Sequence, residues 1–369
     1  MSFYDQYAGR RVLVTGHTGF KGAWLCEWLT MLGAEVFGYS LPAERDSLFT
    51  QVELASRLHH QEADIRDLPT LAATVKAVRP DLIFHLAAQA LVRASYVDPV
   101  GTYATNVMGT VNLLEAVRLA GHPCAVIVVT SDKCYDNRES GRDYREDDPM
   151  GGHDPYSSSK GAAELIVASY RKSFFSQTSA VRVSSVRAGN VIGGGDYARD
   201  RIVPDCVRAL SEGKPVSVRN PAAIRPWQHV LEPLGGYLWL GARLQGAGVQ
   251  SNPVSRRNLD SAFNFGPAAA SHRSVRELVE EMLLHWPGQW QDASQPGALH
   301  EASLLHLSAE KARRMLGWQP TWNFGETIAA TVDWYRAVDA DTTTARFLCQ
   351  EQIHHYTLSA KEAAIAWTP

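Results

Sequence analysis

RVLVTGHTGFKG, Arg11 to Gly22, is the stretch that decides the fold. Arg11–Thr15 is a short apolar, β-branched run, and Gly16 ends it. From Phe20 to Leu32 the residues Trp24, Leu25, Trp28, Leu29 and Leu32 recur at helical spacing, and Gly33 is a stop signal. Between strand and helix stand Gly16, Gly19 and Gly22, spaced GxxGxxG. Glycines there let backbone amides approach a pyrophosphate, and the helix N-terminus adds partial positive charge. A plain strand–helix turn needs one glycine; three in this setting predict a dinucleotide site.

Outward from this unit the pattern repeats. Ala34–Tyr39, Asp81–Leu86, Ala125–Thr130, Val181–Val186 and Ala262–Phe265 read as further strands. Helical stretches lie near Leu68–Val78, Thr102–Leu119, Tyr156–Phe174, Pro204–Leu210 and Leu231–Leu244. Strands alternating with helices predict an α/β fold: a doubly wound (Rossmann) parallel sheet, with ligands at the carboxyl ends of its strands. After Arg187 the pattern changes to Gly-, Pro- and Arg-rich loops, and from Val275 it is helical with breaks. This predicts a smaller, interleaved substrate-binding lobe. The boundaries are 1–188 with about 228–266 for the dinucleotide domain, and 189–227 with about 267–369 for the lobe. The polar Gly246–Arg257 reads as an exposed loop.

Composition excludes several classes. The chain has 369 residues, 45% hydrophobic and 20% charged, with net charge −3. That suits a soluble globular protein and gives no reason to expect nucleic acid or a membrane surface as partner. Five cysteines (Cys26, Cys124, Cys134, Cys206, Cys349) form no CxxC pair, which argues against disulfides or zinc and fits the cytoplasm. No HExxH occurs among the thirteen histidines, so no metal is expected. His59-His60 and His354-His355 read as surface loop residues. MSFYDQYAGRR lacks a signal-peptide core, and no run reaches the roughly 18 apolar residues of a spanning helix.

The chemistry sits in two segments, Thr130–Tyr135 (TSDKCY) and Tyr156–Lys160 (YSSSK). Tyr156 and Lys160 are one helical turn apart and face the same way. A free tyrosine has a pKa near 10; a neighbouring ammonium and an oxidised nicotinamide lower it, so that the tyrosinate takes a hydroxyl proton as hydride leaves the same carbon. Thr130 ends an apolar strand, so Ser131, Asp132 and Lys133 fall at its carboxyl end. Ser131 suits a hydrogen bond to the reacting hydroxyl. Asp132 suits protonation of a leaving hydroxide, the alternative being a turn residue that caps a loop. Lys133 serves as a base only when neutral: Asp132 raises its pKa, whereas desolvation and nearby positive charge lower it, so a purely electrostatic role stays open. Acid–base groups beside a hydride-transfer site point beyond simple oxidation, to elimination of water.

For the cofactor, NAD is favoured over NADP. The second strand ends Tyr39-Ser40, where an acidic residue usually holds the ribose, but the first arginine that follows is Arg45. His17 and Lys21 also place bulky polar groups in the glycine loop, and together with Ser40 they predict weak NAD retention.

TGHTGFKG, HLAAQ (85–89), NVMGT (106–110), SDKCY, DPMGGHDPYSSSK (148–160), RAGNVIGGGD (187–196) and RNPAAIRPWQHV (219–230) occur in the order found in one family. Over residues 8 to 340 the chain resembles the extended short-chain dehydrogenase/reductases, and among them the nucleotide-sugar 4,6-dehydratases. Most of those carry Asp-Glu where this chain has Asp132-Lys133; the Asp-Lys pair resembles the branch acting on CDP-sugars. The resemblance implies cofactor contacts at Gly16, His17, Gly19, Phe20, Lys21, Gly22, Ser40, Asp64, Ile65, Leu86, Ala87, Ala88, Gln89, Asn106, Tyr156 and Lys160. It implies substrate contacts at Ser95, Asn190, Arg201, Arg225 and Asn264, with Arg225 gripping the diphosphate. It also implies a homodimer or homotetramer paired through the Tyr156 helix, and a place in deoxysugar biosynthesis for cell-surface polysaccharide. A nucleotide-sugar 4-epimerase, a dehydratase of another nucleotide-glucose and a non-catalytic NAD-dependent regulator are the competing readings. An epimerase needs no acid at Asp132, and a regulator needs no Ser131, Asp132, Tyr156 and Lys160 together.

Overall fold

The computed structural model describes residues 3–139, 141–175, 180–246, 259–294 and 305–368. Seven strands pair, all in parallel: β1 (Arg11–Thr15), β2 (Glu35–Ser40), β3 (His59–Glu62), β4 (Leu82–His85), β5 (Cys124–Val129), β6 (Val181–Arg187) and β7 (Ala262–Asn264). Their order is β7-β6-β5-β4-β1-β2-β3, so the winding reverses at β1 and β4 and a crevice opens there.

The strands alternate between two cores. Val12, Val14, Phe84, Ile127 and Val129 face one apolar cluster; Leu13, Ile83, Val126 and Val128 face the other. Both faces of the sheet are therefore dry, as a parallel sheet requires. Helices α1 (Phe20–Met31), α2 (Leu68–Val78), α3 (Gly109–Ala120), α4 (Pro155–Ser173), α5 (Ile202–Ser211) and α6 (Leu231–Gln245) follow in chain order. Then come α7 (Val275–His285), α8 (Phe324–Ala340) and α9 (Ala345–Glu362). α4 starts sharply: Asp154 accepts the Ser157 amide and hydroxyl, and Pro155 fills the first turn. That start fixes where Tyr156 stands.

Three expectations change. His59 and His60 are not loop residues but part of edge strand β3, whose polar sequence HHQE carries no strand-like alternation. His354 and His355 are exposed residues of α9, not of a loop. The helix expected over Thr102–Leu119 begins at Pro99 and carries a π turn over Ala104–Met108 before α3. The Gly246–Arg257 loop lies, from 247 on, outside the described residues.

The chain beyond Ala340 returns to α1. Phe3 stacks on Trp367 with ring centroids 4.6 Å apart, Trp28 meets Tyr356 edge-on, and Gln350 donates to Glu27 at 2.8 Å. One core runs continuously from Val12 and Trp24 through α6 to Val203, Trp227, Leu278 and Trp334.

Candidate active site

A cleft of about 1210 Å³ lies along the carboxyl ends of β1, β2, β4, β5 and β6. Its floor at one end is backbone. Gly16 has φ +76°, and a Cβ there would stand 2.6 Å from the Ala87 nitrogen. A Cβ on Gly22 would run into the Gly16 carbonyl. Gly19 caps α1 without a side-chain hydrogen bond, so no side chain covers the first turn. Phe20, Lys21, Ser40, Asp64, Ile65, Leu86, Ala87 and Ala88 line the same end. This cradle of glycines under an uncapped helix fits a dinucleotide pyrophosphate.

Some expected cofactor residues stand elsewhere. The His17 ring turns away from the cleft: it lies beneath Gly38, where a Cβ would strike it, and meets His60 at 2.7 Å. Burial, with His60 beside it, pushes its pKa down to about 4. Gln89 and Asn106 form a brace behind the wall. The Gln89 amide donates to Asn106 Oδ1 at 2.8 Å, and Asn106 Nδ2 donates to the Gln89 carbonyl and to Ser159 Oγ. Ser40 shares a 2.8 Å hydrogen bond with Thr18. Asp64 is held by Arg66, whose side-chain hydrogen bond keeps that carboxyl below its usual range. Thr18 and Arg66 both line the cleft and escaped the sequence reading; Thr18 is a variable position of the glycine motif, and Arg66 lies in no motif.

At mid-cleft the structure brings together Ser131, Asp132, Lys133, Tyr156 and Lys160. Ser131 Oγ donates to Asp132 Oδ1 at 2.9 Å and accepts the Lys133 amide. Asp132 is 2% exposed, and its Oδ2 has no hydrogen-bond partner among the described residues. That oxygen packs against Gly189, where any side chain would displace it. Burial raises the Tyr156 pKa to about 12; a hydrogen bond with Ser131 opposes the rise and Asp132 adds to it. The Lys160 Nζ lies 6.0 Å from the Tyr156 ring centre and donates to the Val129 carbonyl at 3.4 Å. Burial lowers Lys160 itself to about 8. Lys21 likewise falls to about 8, through burial and the charges of Arg201 and Lys160.

The far end is built from side chains. Asn190 lines it with φ +44°, a conformation rare for a non-glycine residue. Arg201, held to Asp196 at 2.7 Å, Arg225, Arg93 and Arg219 complete a cationic wall, with Asp200 bridging the last two. Arg93 lies outside the motifs used to read the sequence; Arg219 opens one of them, RNPAAIRPWQHV, but was not among the expected substrate contacts. Ser95 and Asn264 are not on the wall. Ser95 is fully buried and donates to the Val92 carbonyl at 2.6 Å. Asn264 is fully buried among Tyr135, Tyr144 and Ser308. No cluster of metal-binding side chains occurs among the described residues.

A tyrosine and a lysine one helical turn apart, beside a glycine-floored dinucleotide cradle, are the arrangement of the extended short-chain dehydrogenase/reductases. Within that class, the sequence profile described as GDP-mannose 4,6 dehydratase matches residues 13–245, and the chain belongs to this family. It is 47% identical over 340 residues to a CDP-glucose 4,6-dehydratase of Salmonella typhimurium, covering 90% of this chain and 92% of that one. A UDP-glucose 4-epimerase of Mycolicibacterium smegmatis is 28% identical, over 88% of this chain and 98% of its own. Among solved structures, DesIV, a dTDP-glucose 4,6-dehydratase from Streptomyces venezuelae with NAD and TYD bound, superposes with TM-score 0.74 at 25% identity, over 89% of this chain and 97% of that one.

Proposed function

We propose that this protein eliminates water from CDP-D-glucose to give CDP-4-keto-6-deoxy-D-glucose, with NAD regenerated in each turnover. The observation that carries the reading is the 47% identity, along nearly the whole chain, to the Salmonella CDP-glucose 4,6-dehydratase. The cradle at Gly16–Gly22, with Ser40, Asp64, Ile65 and Leu86–Ala88, holds the NAD. When bound, NAD supplies the hydride acceptor for C4 of the sugar and the donor for C6.

The protein's own groups move protons. Tyr156 removes the 4-hydroxyl proton, with Ser131 holding that oxygen and Lys160 supplying positive charge. The buried Tyr156 starts high, near 12; the cationic ring of oxidised NAD favours its ionised form. A 4-ketone makes the hydrogen on C5 acidic. Lys133 removes it and Asp132 protonates the departing 6-hydroxyl. The Oδ2 of Asp132, with no hydrogen-bond partner among the described residues and packed on Gly189, is the oxygen available to the leaving group. Arg201, Arg219 and Arg225 hold the diphosphate, with Arg93 and Asn190 beside them. The substrate lobe comprises 189–227 and about 267–369, and the pathway makes deoxysugars for cell-surface polysaccharide.

We also infer a cytoplasmic homo-oligomer. Val100, Met108 and Leu119 are exposed from the Pro99 segment through α3, as are Leu165 on α4 and Phe174 at its end, and these apolar side chains support pairing across the two helices. No helix among the described residues is long and apolar enough to cross a membrane.

The test is direct. Protein incubated with CDP-glucose and substoichiometric NAD should yield a sugar lighter by one water and, in deuterated water, labelled at C5. A product that keeps its 6-hydroxyl but is inverted at C4 would establish an epimerase instead.

A further inference from the structure

Behind the Ser131–Lys133 turn lies a buried polar chain that the chemistry above does not use. Glu164, two turns beyond Tyr156 on α4, accepts Thr130 Oγ1 at 2.5 Å, Ser185 Oγ at 2.7 Å and Arg187 Nη2 at 2.9 Å. One carboxylate thus ties α4 to the tips of β5 and β6. Arg187 continues the chain: its Nη1 donates to Tyr135 Oη at 2.6 Å, and its guanidinium lies 4.9 Å from the Tyr135 ring centre. Tyr135 Oη donates to Asn264 Oδ1 at 2.7 Å. Asn264 is pinned in turn, donating to the Tyr144 and Ser308 carbonyls and accepting nothing from the cleft side. Tyr135 and Asn264 are fully buried, and Glu164 and Arg187 are 3% exposed.

The ends of this chain bracket the catalytic turn. Thr130 bounds it on one side and Tyr135 on the other; Cys134, just before Tyr135, is also tied, its carbonyl accepting the Gly151 amide at 2.9 Å. Between them stand Ser131, Asp132 and Lys133, with the Lys133 amide on Ser131 Oγ at 3.2 Å and the Cys134 amide on the Ser131 carbonyl at 3.3 Å. The two anchors differ in what they hold. Glu164–Thr130 registers Ser131 against the helix of Tyr156 and Lys160. Tyr135 holds the other end by its side chain, two residues beyond Lys133.

We propose that Tyr135 is a positioning residue for elimination: through Arg187 and Asn264 it holds Lys133 and Asp132 at the sugar, while oxidation relies on the Glu164 anchor. The proposal rests on the dehydratase reading. A misplaced group loses rate steeply, about 100-fold for roughly 1 Å. Tyr135→Phe keeps the ring, its stacking on Tyr144 and the Arg187 contact, and removes only the hydroxyl.

The experiment compares the wild type with Tyr135→Phe in a single turnover with CDP-glucose and NAD. Bound NADH should form at the wild-type rate and persist, while 6-deoxy product falls by about 10- to 100-fold. Equal loss of both steps, or loss of neither, overturns the proposal. Asn264→Ala removes the acceptor instead and should give the same split, which covers the case in which Tyr135→Phe folds poorly. Amide hydrogen exchange on the protein alone gives a second readout, independent of substrate. The Lys133 and Cys134 amides should exchange about 10-fold faster in Tyr135→Phe, with α4 unchanged; unchanged exchange at those amides overturns the proposal. A wild-type protein that makes no 4-keto-6-deoxy sugar defeats the dehydratase reading, and the exchange result then decides the positional claim by itself.

Discussion

The two ends of the cleft are made of different material. The cradle end is backbone: Gly16 and Gly22 have no room for a Cβ, and α1 starts there with no capping side chain. The far end is side chains: Arg201, Arg219 and Arg225 from one stretch of loops and short segments, and Arg93 from a distant one. A backbone site tolerates almost no substitution yet leaves a compact sequence signature. A side-chain site tolerates graded change and leaves a looser signature, part motif and part isolated residues such as Arg93.

Substitutions at the seam should give the largest effects. Tyr156→Phe should give neither NADH nor product. Asp132→Asn should still form NADH but lose product by roughly 10²–10⁴-fold, the usual contribution of a positioned acid. Single-turnover absorbance with mass analysis of the sugar separates the two, and Asp132→Asn at the wild-type rate would make Asp132 a turn residue. Next comes the cradle. Gly22→Ala should weaken NAD binding by about 100-fold, measured by fluorescence titration, because overlap with a backbone carbonyl typically costs about 1–3 kcal/mol. A change within twofold would mean that the loop yields, and the contrast between the ends would fail.

Graded effects belong to the other end and to pH. Arg225→Lys keeps the charge but loses the fork, so KM for the nucleotide sugar should rise about 10-fold with KM for NAD unchanged. Lys160 helps as a cation, and burial sets its pKa at about 8. Activity should therefore fall as pH rises through about 8, by roughly tenfold per unit well above it, and Lys160→Met should be slow at all pH values without that falling limb. Smallest is Ser40→Asp, which restores an acid near the ribose position; NAD should bind a few-fold tighter, with the sugar-nucleotide KM unmoved. Equal shifts in both would show that the ends are coupled.

The same contrast explains what was legible. Strand periodicity and the glycine spacing gave the sheet to within a residue or two, since β1, β4 and β5 are apolar along their length. β3 was invisible: HHQE pairs with β2 through its backbone, and its side chains carry no alternation. At the site, Ser131, Asp132, Lys133, Tyr156 and Lys160 converge as their positions at a strand tip and a helix start require. His17, Gln89, Ser95, Asn106 and Asn264 sit near the site in sequence or motif, but packing turns their side chains elsewhere. Spacing places a backbone; it does not say which way a side chain faces once neighbours compete for it. Arg93 shows the converse: distant in sequence, it meets Arg219 through Asp200.

The larger core, running from Trp24 through α6 to Trp227 and Trp334, has a consequence for how the molecule comes apart. Both cleft walls are rooted in the same packed interior, so neither can open without breaking contacts that the other needs. Heat or denaturant should therefore dismantle the cradle and the arginine wall in one cooperative transition. Molecules that retain one half of the cleft without the other should never accumulate.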